Sequence, residues 1–327
     1  MIKTILCITE QGSRIVKRGR VLLVFKNRQK IFMYPLENIS QLLLMGRVEV
    51  STAMLSLLMR SGIDTVFLSR NGRFKGRLTG EWSKNIFIRE RQFARRRDTG
   101  FCLRLSKQIV SAKIQNARNL LRRRQPSVYQ DLKQRIDNAL LSVEKAPDIA
   151  VLRGLEGNFA TLYFSVFPRL LKNNLGFKKR IKHPPPDPVN ILLSFGYTLL
   201  FNSLYALVEA AGLDTYAGFF HQSSYGHPAL VSDLMEPYRA PVVDRLVIRL
   251  LNREEITADD FQREEKRLKL GEPAIRKFLN AYQKRLFDRY MLREKKETVW
   301  NLFSKDVAKL VQLIREKRDD YQPFIFQ

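Results

Sequence analysis

Between Ile191 and Val208 the chain runs eighteen residues without a charge, in a sequence that is 28% charged as a whole. A run of this kind belongs either in a bilayer or inside a layer of helices. Eighteen residues is the short end of what crosses hydrocarbon, and this run carries Ser194, Gly196, Thr198, Asn202 and Ser203. It therefore reads as a helix buried in a protein core, with no membrane partner, and a helix buried all round needs further helices to cover it. Pro184, Pro185, Pro186 and Pro188 break the chain just before it, and Lys178, Lys179, Arg180 and Lys182 make that approach basic.

The chain before about residue 80 has another period. Val21 to Phe25, Lys30 to Tyr34, Gln41 to Met45 and Thr65 to Leu68 are short apolar runs between turn residues, and Asn71-Gly72 is a hairpin turn. Ser51 can cap a short helix that Gly62 ends. From Trp82 the pattern turns helical and basic: residues 84 to 124 hold thirteen Lys or Arg against Glu90 and Asp98. The expected fold class is α+β, with a small β-sheet domain carrying one helix (1–82), a basic linker (83–97) and a larger all-α domain (98–327). In that domain Val110, Ile114, Ala117 and Leu121 form an apolar stripe beside a basic one, Arg104, Lys107, Arg118 and Arg122. Further helices are expected at about 127–144, 148–174, 188–211, 228–252, 257–270, 272–292 and 297–318.

Against 32 Asp and Glu stand 58 Lys and Arg, a formal net charge of +26. Solubility needs only a few units of charge, so the excess points to a polyanion, and nucleic acid is the obvious one. Arg104, Lys113, Arg118, Lys178, Lys179 and Arg180 are candidates for phosphate contact, although a basic helix face is often merely solvated. Two cysteines, Cys7 and Cys102, fit neither a zinc site nor a disulfide framework, which suggests a reducing, cytoplasmic compartment. The N-terminal segment does not read as a secretory signal.

Only three histidines occur, His183, His221 and His227. His221 ends the apolar string AGFFH and opens a Ser/Gly-rich stretch, a setting that suits a side chain facing a cavity. Asp233 and Glu236 follow twelve and fifteen positions later, three apart and so on one helix face, with Pro237 disfavouring a regular helix at Glu236. Glu156 lies among apolar neighbours, where an ionised carboxylate is costly unless paired or coordinated. Gly154 and Gly157 beside it would let a ligand or backbone approach. One imidazole with two carboxylates suits manganese or magnesium with positions left open. On spacing alone, Glu156 could equally pair with Arg153 or Arg169.

The strings RGLEGNFATLYF, PPPDPVNILLSFGYTLL, GLDTYAGFFH and SDLMEPYRAPVVDRLV, in this order, closely resemble the CRISPR-associated Cas-one family, the integrase of spacer acquisition. RERQFA and AKIQNARNLLRRR resemble its first long helices. The resemblance implies a metal-dependent DNA endonuclease and integrase, with catalytic metal ligands at Glu156, His221 and Glu236 and Asp233 as a supporting or occasional ligand. His183 and His227 inherit no catalytic role. It further implies Mn²⁺ or Mg²⁺, a homodimer formed through the N-terminal half, double-stranded DNA, the small Cas-two protein as partner in a heteromeric integration complex, and a cytoplasmic, nucleoid-associated place of work. Two rivals stand beside it: a structure-specific metal-dependent repair nuclease that does not integrate, and a non-catalytic DNA-binding scaffold.

Overall fold

A computed structural model of the chain describes residues 4–70, 72–80, 85–222, 224–264, 267–292, 295–316 and 321–326. Trp82, Asn71 of the hairpin turn and the end of the helix expected over 297–318 lie outside them.

The first part is two four-stranded sheets and a helix. One sheet has the order β1 (Thr4–Ile8), β5 (Ile39–Met45), β7 (Asp64–Leu68), β8 (Phe74–Leu78), the first three parallel. The other runs β4 (Gln29–Pro35), β3 (Val21–Lys26), β2 (Ser13–Arg18), β6 (Val48–Val50). Helix α1 (Thr52–Arg60) is capped as expected, with the Ser51 hydroxyl accepting from the Met54 amide. Strand β5 is apolar almost throughout because both its faces are covered. Leu42 and Leu44 join Ile15, Leu22, Val24, Met54 and Leu58 in the β layer, whereas Leu43 and Met45 belong to the same core as the helices. The sheet thus shares one face with the helical part. Gly72 sits at this seam with φ +78°, and a Cβ there would come within 2.3 Å of the Phe195 ring.

The helical part comprises α2 (Ile86–Arg97), α3 (Thr99–Arg124), α4 (Pro126–Lys145), α5 (Ile149–Val166), α6 (Pro188–Ala210), α7 (Ala229–Met235), α8 (Arg245–Asn252), α9 (Glu272–Phe287) and α10 (Val299–Glu316). The uncharged run is α6. By length and composition it could cross a membrane, but Leu192, Leu193, Leu199, Leu200 and Leu204 are buried in the main core, so it is the central helix of the fold. The stripe of Val110, Ile114, Ala117 and Leu121 on α3 is buried as the period predicts.

Besides the helix expected over 148–174, which ends at Val166 and passes into a 3-10 turn (Phe167–Leu170), four expectations change. Much of the presumed basic linker is α2, whose cap is the Asn85 side chain accepting from Ile88 N. The segment 257–270 is not a helix: a 3-10 turn (Ala258–Asp260) leads into the hairpin β9 (Phe261–Glu264) and β10 (Arg267–Leu270). The helix over 272–292 stops at Phe287, and Tyr290–Leu292 is β11, paired with β12 (Lys295–Glu297). Finally, 228–252 is not one regular helix. After α7 it tightens to a 3-10 turn (Glu236–Tyr238) and widens to a π stretch (Arg239–Asp244) before α8. Pro237 and Pro241 each remove a helical N–H, the Arg245 amide shifts to Ala240 O, and two carbonyls of this stretch find side chains. Asn116 donates to Pro237 O at 2.8 Å, and Arg285 donates twice to Pro241 O, at 3.1 and 3.0 Å.

Candidate active site

The irregular turn from α7 to α8 swings Glu236 into a cleft of about 450 Å³, where Glu156 of α5, His221, Lys113 of α3 and the basic loop Lys178 to Lys182 also meet. The carboxylates do not pair with Arg153 or Arg169. Arg153 donates to the Phe220 carbonyl at 2.9 and 2.6 Å, and Arg169 reaches Asp131 at 3.1 Å. Their common partner is Lys113. Its ammonium donates to Glu156 and lies 2.6 Å from Glu236 Oε2, so it is a buried counter-ion and not part of an exposed basic face.

Glu236 is 3% exposed. Burial alone would push its carboxyl up, but Arg239, Lys113 and His221 outweigh that and hold its pKa down at about 2. Arg239 Nε donates to Oε1 at 2.9 Å, and the guanidinium stacks 4.7 Å from the Tyr197 ring centre. Burial likewise opposes charge on Lys113, and Glu236 and Glu156 override it, raising the pKa. Deeper in the cleft Asp244 accepts from Tyr163 at 2.9 Å and Tyr197 at 2.5 Å. Burial raises its pKa to about 6 in spite of those two hydroxyls.

Asp233 faces away from the cleft opening and organises the His221 loop. Its carboxylate accepts from the amides of Phe219, Phe220 and His221 at 2.6, 3.0 and 2.9 Å, and Oδ1 lies 2.7 Å from His221 Nδ1. With Nδ1 committed to Asp233, Nε2 is left toward the cleft, 3.8 Å from Glu236 Oε1. The same loop is gripped from behind by α2. Gln92 donates to the carbonyls of Asp214 and Ala217, both at 2.9 Å, and accepts from Asp214 N at 2.8 Å. Gln92 was not legible in the sequence, where it is one polar residue in an arginine-rich string; its partners are more than a hundred positions away.

These residues suit a divalent cation. Two carboxylates and one imidazole nitrogen supply hard and borderline donors, and Glu236 Oε2 receives no well-aligned hydrogen bond although it is enclosed. Lys113 stands where positive charge is required. Among the described residues no three Asp, Glu, His or Cys side chains are drawn together tightly enough to hold an ion as they stand. The pairs that do form explain this, since the ammonium lies between the two carboxylates.

The other basic candidates divide. Lys178 and Lys179 are exposed on the cleft wall, whereas Arg180 is committed: it donates to Asn190 Oδ1 at 2.8 Å and Ser194 Oγ at 3.0 Å. Arg118 leans on Asp137 of α4 at 3.9 Å, and Arg104 lies exposed on α3 away from the cleft. His227 hydrogen-bonds Ser232 at 3.2 Å, and His183 is exposed on the loop before α6. Gly154 and Gly157 face open space, so no backbone of this chain uses the room they leave.

The family profile described as CRISPR associated protein Cas1 matches residues 6–284. A CRISPR-associated endonuclease Cas1 of Thermus thermophilus is 34% identical over 321 residues, covering 97% of this chain and 96% of that one. Among solved structures, a chain of a Cas6-RT-Cas1–Cas2 complex superposes with a TM-score of 0.86 at 27% identity, over 98% of this chain and 36% of that longer one. A Cas1 protein from Thermotoga maritima has a TM-score of 0.85 over 99% of both chains, and at 22% identity that likeness speaks for the fold alone.

Proposed function

The chain belongs to the Cas1 family, and from that premise we propose that it is a DNA endonuclease and integrase of CRISPR spacer acquisition working at the Glu156–His221–Glu236 cleft. The observation that carries the siting is the convergence of two carboxylates and an oriented imidazole on one basic-walled cleft. When bound, a divalent cation, Mn²⁺ or Mg²⁺, supplies Lewis acidity toward a phosphodiester oxygen. Glu156, Glu236 and His221 Nε2 would hold it, while Asp233 keeps the imidazole in the tautomer that leaves Nε2 free. Arg239 and Lys113 keep Glu236 ionised. Lys178 and Lys179 on the wall meet backbone phosphate and place the duplex, so that a DNA 3′-hydroxyl can displace a strand in line. Water in the place of that hydroxyl gives cleavage.

Integration joins both ends of one fragment, so two cleft copies must be held apart. Strand β4 supports a homodimer through the β layer: it is a sheet edge, and its Ile31 and Met33 are 48% and 60% exposed. The Cas1–Cas2 complex among the structural relatives supports a small Cas2 partner in a heteromeric integration assembly, which would work in the cytoplasm at the nucleoid.

The test supplies labelled DNA with free 3′-hydroxyls, supercoiled plasmid and Mn²⁺. Joined products are expected from the wild type, and cut plasmid alone would favour the repair nuclease. Glu156→Ala should lower joining by about 10²–10³-fold while its circular dichroism melt still shows a folded protein. Joining at the wild-type rate by that variant would leave only a scaffold role for the carboxylate.

A further inference from the structure

Farther along α3, toward its C-terminus, lies a second concavity, of about 180 Å³, lined by arginine. Helix α3 presents Lys113 and Ala117 to the catalytic cleft and Asn119 and Arg123 to this pocket. The π stretch and α8 divide in the same way, Asp244 lining the cleft and Arg245 the pocket. The two sites neighbour each other along the same two elements.

The pocket is lined by Arg123, Arg124 and Arg245 with Pro241 and Phe326, and no Asp or Glu among the described residues lines it. Among the described residues none of the three guanidiniums has an ion pair or hydrogen bond to protein; Arg123 and Arg124 are exposed at the rim and Arg245 is half-buried. A fourth arginine, Arg285, is 6% exposed nearby and meets only the Pro241 carbonyl and the Tyr290 and Phe326 rings. Burial, and then repulsion from Arg285, Arg124 and Arg123, pushes the Arg245 pKa down to about 10. The negative end of the α3 dipole accounts for Arg123 and Arg124 at its C-terminus. It does not account for Arg245, which a different element brings into the same enclosure among like charges.

We propose that this pocket binds a phosphate group, and that its source is the backbone of the nucleic acid engaged by the protein. A guanidinium cluster without carboxylates matches phosphate oxygens in charge and in planar, bidentate geometry. Naming nucleic acid as the source rests on the function proposed above. The pocket would hold duplex where it runs on along α3 beyond the reacting phosphodiester, and so anchor it without sequence readout.

The experiment uses full-length protein and a labelled duplex titrated from low to moderate salt. Arg245→Ala, and separately Arg123→Ala with Arg124→Ala, should weaken binding about 10-fold and flatten the salt slope by about one for each phosphate that is no longer held. Arg245→Lys should retain most of both, and Mn²⁺ affinity by calorimetry should be unchanged in all of them. Unaltered duplex affinity and slope in the folded alanine variants would overturn the proposal. If instead inorganic phosphate raises the melting temperature of the wild type but not of Arg245→Ala, while duplex binding is unaffected, the phosphate chemistry stands and the nucleic-acid source falls. Should the wild type neither cut nor join DNA while these variants still bind duplex more weakly, the pocket survives and the proposed activity does not.

Discussion

Two enclosed clusters of charge touch α6, and they are balanced differently. At Asn202, Arg77 meets Asp64 at 2.6 Å, their side chains 6% and 11% exposed. Arg77 also donates to Asn202 Oδ1 at 3.1 Å and lies 3.7 Å over the Tyr205 ring, while Gln41 donates to the Asn202 carbonyl at 2.9 Å. One acid faces one base, and Gln41 and the Asn202 side chain add hydrogen bonds around the pair. At Tyr197, in the cleft, two acids share Lys113, Arg239 adds a second cation on Glu236 alone, and the cluster opens to a basic wall. The first cluster is a pin between sheet and helices. The second keeps free capacity to bind a cation.

The sharpest way to break that contrast is Arg77→Ala. Removing one partner of an enclosed pair strands the other charge and should destabilise the fold by about 3–5 kcal/mol, read as a lower urea midpoint. Joining activity per folded molecule should hold, because no Arg77 contact reaches the cleft. A loss under about 1 kcal/mol would mean that the pin behaves like a surface pair.

Asp244 tests the cleft's interior by pH. Its carboxyl, 1% exposed, has its pKa raised from 3.8 to about 6 in the folded protein. Between those values the folded state holds a proton that the unfolded chain releases, so the contribution to stability is full below about pH 4 and is lost as pH rises to about 6. The cost is at most roughly 3 kcal/mol, one pKa unit being worth about 1.4. Measured as wild type minus Asp244→Asn, stability should fall across that window and run level above it. A flat difference from pH 4 to 7 would show that the tyrosine hydroxyls keep Asp244 ionised.

These clusters also mark what could be read from the chain. Glu156, His221, Asp233 and Glu236 lie in contiguous strings whose composition is itself unusual, acids and an imidazole set against apolar and glycine neighbours, and the Pro237 break was legible because proline acts locally. Gln92, Arg77 and the counter-ion role of Lys113 gave no such signal. Each of the three is an ordinary polar residue in a helix or strand, and its role comes from a partner 13 to 125 positions away. The hairpin at 261–270 was misread for a related reason. FQREEKRLKL is rich in helix formers, and cross-strand pairing, invisible in one dimension, overrides that propensity.

Lys113 carries the contrast furthest. Without metal, Lys113→Met leaves Glu156 and Glu236 facing each other with Arg239 on one of them only, which should lower stability by about 1–3 kcal/mol. It is a smaller loss than at Arg77, because water reaches Glu156, whose side chain is 22% exposed. Added Mn²⁺ should then reverse the order. A cation that binds only the folded state stabilises it by RT times the logarithm of one plus its concentration divided by its Kd, and in the variant it has no ammonium to displace. The Mn²⁺-induced rise in melting temperature should therefore exceed that of the wild type, whereas Arg77→Ala should show the wild-type rise from a lower starting point. If Lys113→Met gains nothing from Mn²⁺, then the lysine is a structural counter-ion like Arg77, and the two clusters are of one kind.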